Sequence, residues 1–157
     1  MKINSRRVII FVSILIILIV IGGVELFWAN KLKANARYLI QVGDQPLKVE
    51  LAASSQSRYR GLSGRSGLCQ DCGMLFYFPE PEVQIFVMRE MKFPLDIIFI
   101  AHGQIESLAA NLPPEGVDYK NQYRSRGPVD YVLEVKAGYA AQNNIKVGDK
   151  VYGLNFK

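Results

Sequence analysis

The sequence predicts a β-dominated α+β domain, a partly closed β-barrel-like sheet with two short helices, preceded by one N-terminal transmembrane helix. Three observations lead there. Residues 8–24 read VIIFVSILIILIVIGGV without a charge, and Leu26, Phe27 and Trp28 extend the apolar stretch past Glu25. After Arg37, short runs rich in β-branched and aromatic residues alternate with Gly, Pro and Asp, the pattern of strands and turns. Helical character is confined there to the neighbourhoods of Ser55 and Ala140, and a sheet of so many short strands hides its edges by curling on itself.

At 1.5 Å per helical residue, residues 8–28 cover about 30 Å, the thickness of a bilayer core. Arg6 and Arg7 place residues 1–7 in the cytoplasm, and Trp28 with the lysines after it suits the opposite interface. Ala34-Asn35-Ala36 has the small-x-small form of a signal-peptidase site. The apolar run is nevertheless longer than a signal-peptide core and ends well before that site, so residues 8–28 are read as an uncleaved signal anchor. Residues 29–37 form a polar tether, and residues 38–157 form an extracytoplasmic domain of a single-pass cell-membrane protein.

Within the domain, runs 38–42 and 45–51 flank Gly43-Asp44 as a hairpin, with Leu47, Val49 and Leu51 on one face. Ser54 and Ser55 cap a short helix running to Arg60, after which Gly61, Gly64 and Gly67 impose loop geometry. Residues 74–78, 84–91, 95–101 and 104–110 read as strands, and His102-Gly103 is a tight turn between the last two. Residues 112–127 form a polar loop, an element that often binds ligands. A strand at 131–135, a helical stretch at 137–144 and a closing strand at 150–156 complete the domain.

The net charge of +5 resides in residues 1–37, where six Lys/Arg face Glu25 alone. Residues 38–157 carry 13 Lys/Arg and 13 Asp/Glu. A neutral domain lacks the field that a phosphate backbone requires, so no nucleic-acid partner is expected. Two cysteines are too few for a disulfide-dense mini-protein, and 21% charged residues with eight Tyr and eight Phe exclude a disordered chain.

Two constellations carry chemistry. Cys69-Gln70-Asp71-Cys72 can close a disulfide, exchange one, or clamp a soft metal together with Met74, Met88 or Met91. A disulfide closing so short a loop contributes only about 1.9 kcal/mol in the chain-entropy model, and tetrahedral zinc would need two more ligands where the chain offers one histidine, His102, in a turn. The second constellation is ionic. Asp96 interrupts FPLDIIFI and Glu134 interrupts YVLEV, so both carboxylates are expected to be buried and to need donors, for which Arg60 and Arg65 are the candidates. Arg60, Arg65, Arg89, Asp96 and Glu134 thus form a candidate pocket for an anionic or sugar-like ligand. Tyr119, Tyr123 and Tyr131 are candidates to stack on a sugar.

The segments RGLSGRSGL (60–68), GMLFYFPEP (73–81), FVMREMKFPLDIIFI (86–100) and PVDYVLEVKAGYAAQNNIKVGDKV (128–151), in this order, resemble the bacterial and archaeal DUF family 192. The resemblance implies a small β-rich fold, often secreted or membrane-anchored, of no established activity. Four positions depart from the family pattern. Ser63 stands where the family shows Met, Val87 where it shows an aromatic residue, and Glu90-Met91 where it shows Asn-Thr. Cys69 and Cys72 are an addition to that pattern.

The reading is a membrane-anchored module for a small molecule, a sugar or an envelope component. Nothing in the sequence requires catalysis, no catalytic residue is assigned, and no cofactor is expected. A thiol-redox or soft-metal protein built on Cys69 and Cys72 is the alternative, and a carboxylate-dependent hydrolase the second.

Overall fold

The most apolar runs of the chain become its most deeply buried strands. A computed structural model describes residues 14–25 and 37–156. Residues 14–25 are helical and belong to a unit of their own, and a second compact unit begins at Arg37. The expected anchor at 8–28 lies only partly within the described residues, among which no helix is long and apolar enough to cross a membrane. Residues 1–7 and the tether up to residue 36 lie outside them.

The domain runs β1 (Arg37–Val42), β2 (Gln45–Ala52), α1 (Ser55–Arg60), β3 (Cys72–Glu82), β4 (Ile85–Phe86), β5 (Leu95–Ala101), β6 (Gln104–Leu112), β7 (Tyr123–Arg124), β8 (Val129–Lys136), α2 (Tyr139–Gln142) and β9 (Val151–Tyr152). Seven strands form one sheet in the order β6-β5-β8-β3-β2-β1-β9, and β4 and β7 form a small separate sheet. All pairings are antiparallel except β2 with β3. The sheet curls into a half-barrel whose ends meet at one corner. There Gln104 bridges Lys150, Ile105 N–H donates to Asp149 O at 2.9 Å, and Val151 N–H donates to Gly103 O at 2.9 Å.

Both faces of the central strands are covered, which is why β5 and β8 read as nearly continuous apolar runs. On the inner face Ile40, Leu47, Val49, Leu75, Ile98, Ile100 and Leu133 form one core. On the outer face Ala52, Leu62, Met74, Phe76, Ile97, Phe99 and Val132 form a second. Gly73 permits the close approach of β3 and β8, because a Cβ there would stand 2.9 Å from Glu134 O.

The expected strand at 84–91 contracts to Ile85–Phe86. Residues beyond it bond to the long loop instead, Glu115 N–H to Met88 O at 3.1 Å and Met91 N–H to Glu115 O at 3.1 Å, while Glu90 takes a positive φ of 53°. That same loop supplies β7, which pairs with β4. The closing strand ends at Tyr152, where Gly153 turns with φ 84°.

Asp96 was expected to meet an arginine and does not. Fully buried, it accepts from Asn111 N–H at 2.8 Å, Gly138 N–H at 3.1 Å and Ala140 N–H at 3.0 Å. The register shift between β5 and β6 and the start of α2 both leave backbone donors unpaired, and one carboxylate satisfies them without a counter-cation. Asp96→Ala strands three backbone N–H groups, one buried and two partly buried, so the variant is expected to lose about 3 kcal/mol in urea unfolding. A loss under about 1 kcal/mol would mean that Asp96 does not hold this corner.

Candidate functional site

Strand register builds the site. Glu50 on β2, Met74 on β3, Glu134 on β8 and Ile97 on β5 lie side by side across the outer face. The neighbouring row on that face is Ala52, Phe76, Val132 and Phe99. Because β2 and β3 are parallel, residues 53–71 must cross over the sheet, and they lay α1 and the 61–68 loop on this face.

The crossover is fastened at several points. Ser54 and Ser57 cap α1 reciprocally, Ser57 N–H to Ser54 Oγ at 3.1 Å and Ser54 N–H to Ser57 Oγ at 3.0 Å. Gly61 ends the helix at φ 51°, 3.4 Å from the Phe76 ring measured from the site of a Cβ. Ser63 Oγ donates to Arg89 O at 2.8 Å and Gly64 N–H to Glu90 O at 2.9 Å. Arg65 then returns to the sheet and grips Glu50 with both terminal nitrogens, at 2.9 and 2.7 Å. The hydrogen bonds from Arg65 hold the Glu50 carboxyl below its ordinary range, against the opposing effect of burial.

Between this crossover and residues 84–91 lies a cleft of about 380 Å³. Phe76, Phe78, Phe86, Tyr59 and Tyr119 supply its apolar surface, and Arg58, Arg60, Arg89 and Glu134 its ionisable groups. The Arg89 guanidinium lies 4.1 Å from the Tyr59 ring centre and donates from Nη2 to Tyr59 O at 2.7 Å. Its Nε is buried with no hydrogen-bond partner, the Glu90 carboxylate standing 4.0 Å away. Arg58 lies 5.1 Å from the Phe78 ring and donates to Tyr77 O at 3.0 Å.

Glu134 is 5% exposed and its Oε2 also has no partner. Burial pushes its carboxyl from the ordinary 4.5 up to about 8, although the Arg65 charge pulls the other way. An acid so placed keeps its proton at neutral pH and donates a hydrogen bond where a carboxylate would only accept.

Of the residues singled out in the sequence, Arg60, Arg89 and Glu134 therefore meet around one cleft. Arg65 lies beside it on Glu50, and not on Asp96 or Glu134 as expected, because the bidentate fork needs an accessible carboxylate with two free oxygens. Asp96 pairs with Val135 and Glu134 with Ile97, so the two acids point to opposite faces of the sheet. They cannot flank one bond in the manner of a hydrolase pair.

Cys69 and Cys72 are joined as a disulfide with Cα atoms 5.2 Å apart, and Arg37 Nη1 lies 4.0 and 3.8 Å from their sulfurs. Met74, Met88 and Met91 are in the outer core. Among the described residues no group of three or more His, Cys, Asp or Glu could hold a metal ion. His102 occupies the hairpin turn at φ 51°. Tyr119 reaches the cleft, whereas Tyr131 is in the inner core and donates to Leu154 O at 3.0 Å.

Glu50, Arg58, Tyr59 and the three phenylalanines escaped the sequence reading. The alternation that puts Leu47, Val49 and Leu51 on one face already puts Glu50 on the other, but which strand lies beside it is not written locally.

The DUF192 profile, described as Uncharacterized ACR, matches residues 38–153. The chain belongs to the DUF192 family. No curated protein matches it. Two crystal structures are similar at 33% identity and a TM-score of 0.69. One is a protein titled "putative transcription regulator" from Sinorhizobium meliloti, with 74% of this chain and 92% of that one covered. The other is a protein of unknown function from Novosphingobium aromaticivorans, with 73% and 84% covered. Ser63, Val87 and Met91 line the cleft, and Glu90 lines the smaller depression beside it.

Glu134 makes stability depend on pH with a definite sign. The folded domain keeps a proton that the unfolded chain releases near pH 4.5, so this contribution is complete below that value and is lost as pH rises to about 8. Unfolding in urea at about pH 5.5 and 7.5 should differ by about 2 to 3 kcal/mol from this group. Glu134→Gln, neutral and of the same shape, should remove that difference, and an unchanged slope would assign it elsewhere.

Proposed function

We propose that this DUF192 domain is an extracytoplasmic small-ligand binding module, held at the cell membrane by residues 8–28, with the ligand in the cleft between the 53–71 crossover and residues 84–91. One observation carries the reading. Two buried polar atoms without hydrogen-bond partners, Arg89 Nε and Glu134 Oε2, belong to residues lining the same cleft. Unpaired buried polar groups are costly, and groups that converge on an aromatic-lined cleft of this size suit a ligand that completes them. Support for the anchor comes from the uncharged run 8–24 and from the exposed apolar side chains of residues 14–21.

The reading has no catalytic step, since the oxygens of Asp96 are engaged by backbone and the other acid in the Glu134 row, Glu50, is held in the bidentate fork of Arg65. The regulator title of the Sinorhizobium protein is not carried over, because residues 38–157 hold 13 Lys/Arg and 13 Asp/Glu. A second reading, thiol exchange at Cys69 and Cys72, is favoured by one contact, the Arg37 cation beside both sulfurs.

Native mass spectrometry of the full-length protein, extracted in detergent from its own envelope without added metal or reductant, tests the proposal. An organic mass bound one to one is expected, and a bare protein under the mildest desolvation would overturn it. The double variant Cys69→Ser/Cys72→Ser should keep that mass and lose no more than about 2 kcal/mol of stability. Loss of the bound mass from a folded double variant would favour the thiol reading.

A further inference from the structure

We propose that the cleft takes a small carboxylate carried on a ring, bound so that the ligand's carboxylate meets both Arg89 Nε and Glu134 Oε2. This rests on the reading of the cleft as a binding site and names the chemistry of its ligand. The first argument is the sign of the unpaired groups. A guanidinium N–H can only donate, and Glu134, buried on a face where no cation hydrogen-bonds to it, holds its proton at neutral pH. Two donors without acceptors therefore belong to the lining of one cleft. A carboxylate has two acceptor oxygens for two such donors, whereas an amide offers one acceptor oxygen and an ammonium group none.

The second argument is charge. Among the described residues Arg58 and Arg60 form no ion pair, and the only acid near Arg89 is Glu90 at 4.0 Å. The cation nearest Glu134 in the sheet, Arg65, is held by Glu50 in the same row. Tyr59 of α1 and Tyr119 of the long loop are the other titratable groups of the lining. The cleft thus carries an excess of positive charge with no anion of its own. The third argument is the wall. Phe76, Phe78 and Phe86 offer aromatic surface to the apolar side of a ring.

Such a complex shares one proton between two carboxyl groups, so binding must be proton-coupled. Below about pH 8 the proton is already on Glu134 and affinity is flat. Above it the proton must be taken up from solution, and affinity falls about tenfold per pH unit.

Equilibrium dialysis of the full-length protein in detergent, with radiolabelled probes between about pH 6 and 9, tests this. The acid probes are benzoate and glucuronate, their neutral counterparts benzamide and glucose, and inorganic phosphate is the control. At least one acid should bind about tenfold or more tightly than its neutral counterpart at neutral pH and weaken above about pH 8 with the slope given above. Benzoate and glucuronate separate an aromatic acid from a sugar acid. Glu134→Gln, whose amide still donates, should bind the same acid with a flat profile. Should that variant fail to fold, the wild-type profile and Arg89→Lys, expected to weaken the acid while leaving the neutral probe unchanged, carry the test.

Neutral probes bound as tightly as acids, phosphate bound more tightly than either acid, or affinity unchanged above pH 8 would each overturn the inference and leave the binding module standing. Retention of no probe also overturns it. An organic mass in the native spectrum then preserves the module, and a bare protein removes both.

Discussion

Parallel pairing of β2 with β3 is the constraint from which the rest of the molecule follows. Two parallel neighbours cannot be joined by a tight turn, so the chain must travel the length of the sheet before it can start β3. One wall of the outer-face cleft lies on that return path: α1 with Arg58 and Tyr59, then the glycine-rich loop with Arg65 and the disulfide turn that leads into β3. Residues 84–93 cover the neighbouring part of this face through Phe86, Met88, Met91 and Phe93. The Arg65–Glu50 fork then fixes the far end of the crossover to the strand it left.

The two buried acids show how placement, and not burial, decides the character of a carboxyl group. Both interrupt apolar runs and both are hidden from water. Asp96 meets three backbone N–H groups left over by a register shift and a helix start, and they serve it as donors. Glu134 meets the side of Met74 and Ile97 in its own row and no donor for Oε2. One becomes a structural pin joining a strand to α2. The other becomes the reactive feature of the cleft, with its proton retained because charge there has nothing to lean on.

Much of the architecture is legible in the sequence because it is local. The bounds of β5, the turns at Gly43 and His102, and the serine-capped helix ending at Gly61 all follow from alternation, turn chemistry and capping. What escapes is set by distant partners. The stretch 84–91 is apolar and β-branched enough to read as a strand, yet only residues 85 and 86 pair as one, and residues 88, 90 and 91 bond to residues 115 and 116 of the long loop. The presence of Arg89 and Glu134 in one cleft was foreseeable from residue type. The exclusion of Asp96 was not, since strand parity within FPLDIIFI and within YVLEV says nothing about how the two segments line up. The Arg65–Glu50 pair depends likewise on the crossover, which no local pattern reveals.

The position of β8 at the middle of the sheet has a consequence for the order in which the chain acquires its structure. β1 with β2, and β5 with β6, are hairpins whose contacts are short-range. Neither can be joined to the other until residues 129–136 arrive between β5 and β3. A chain made from its N-terminus onward therefore holds two preformed halves with exposed edges and waits for its last third to act as keystone. Such long-range closure makes folding slow, in the millisecond-to-second range of β-rich domains, and leaves the waiting halves as the species most in need of protection from one another.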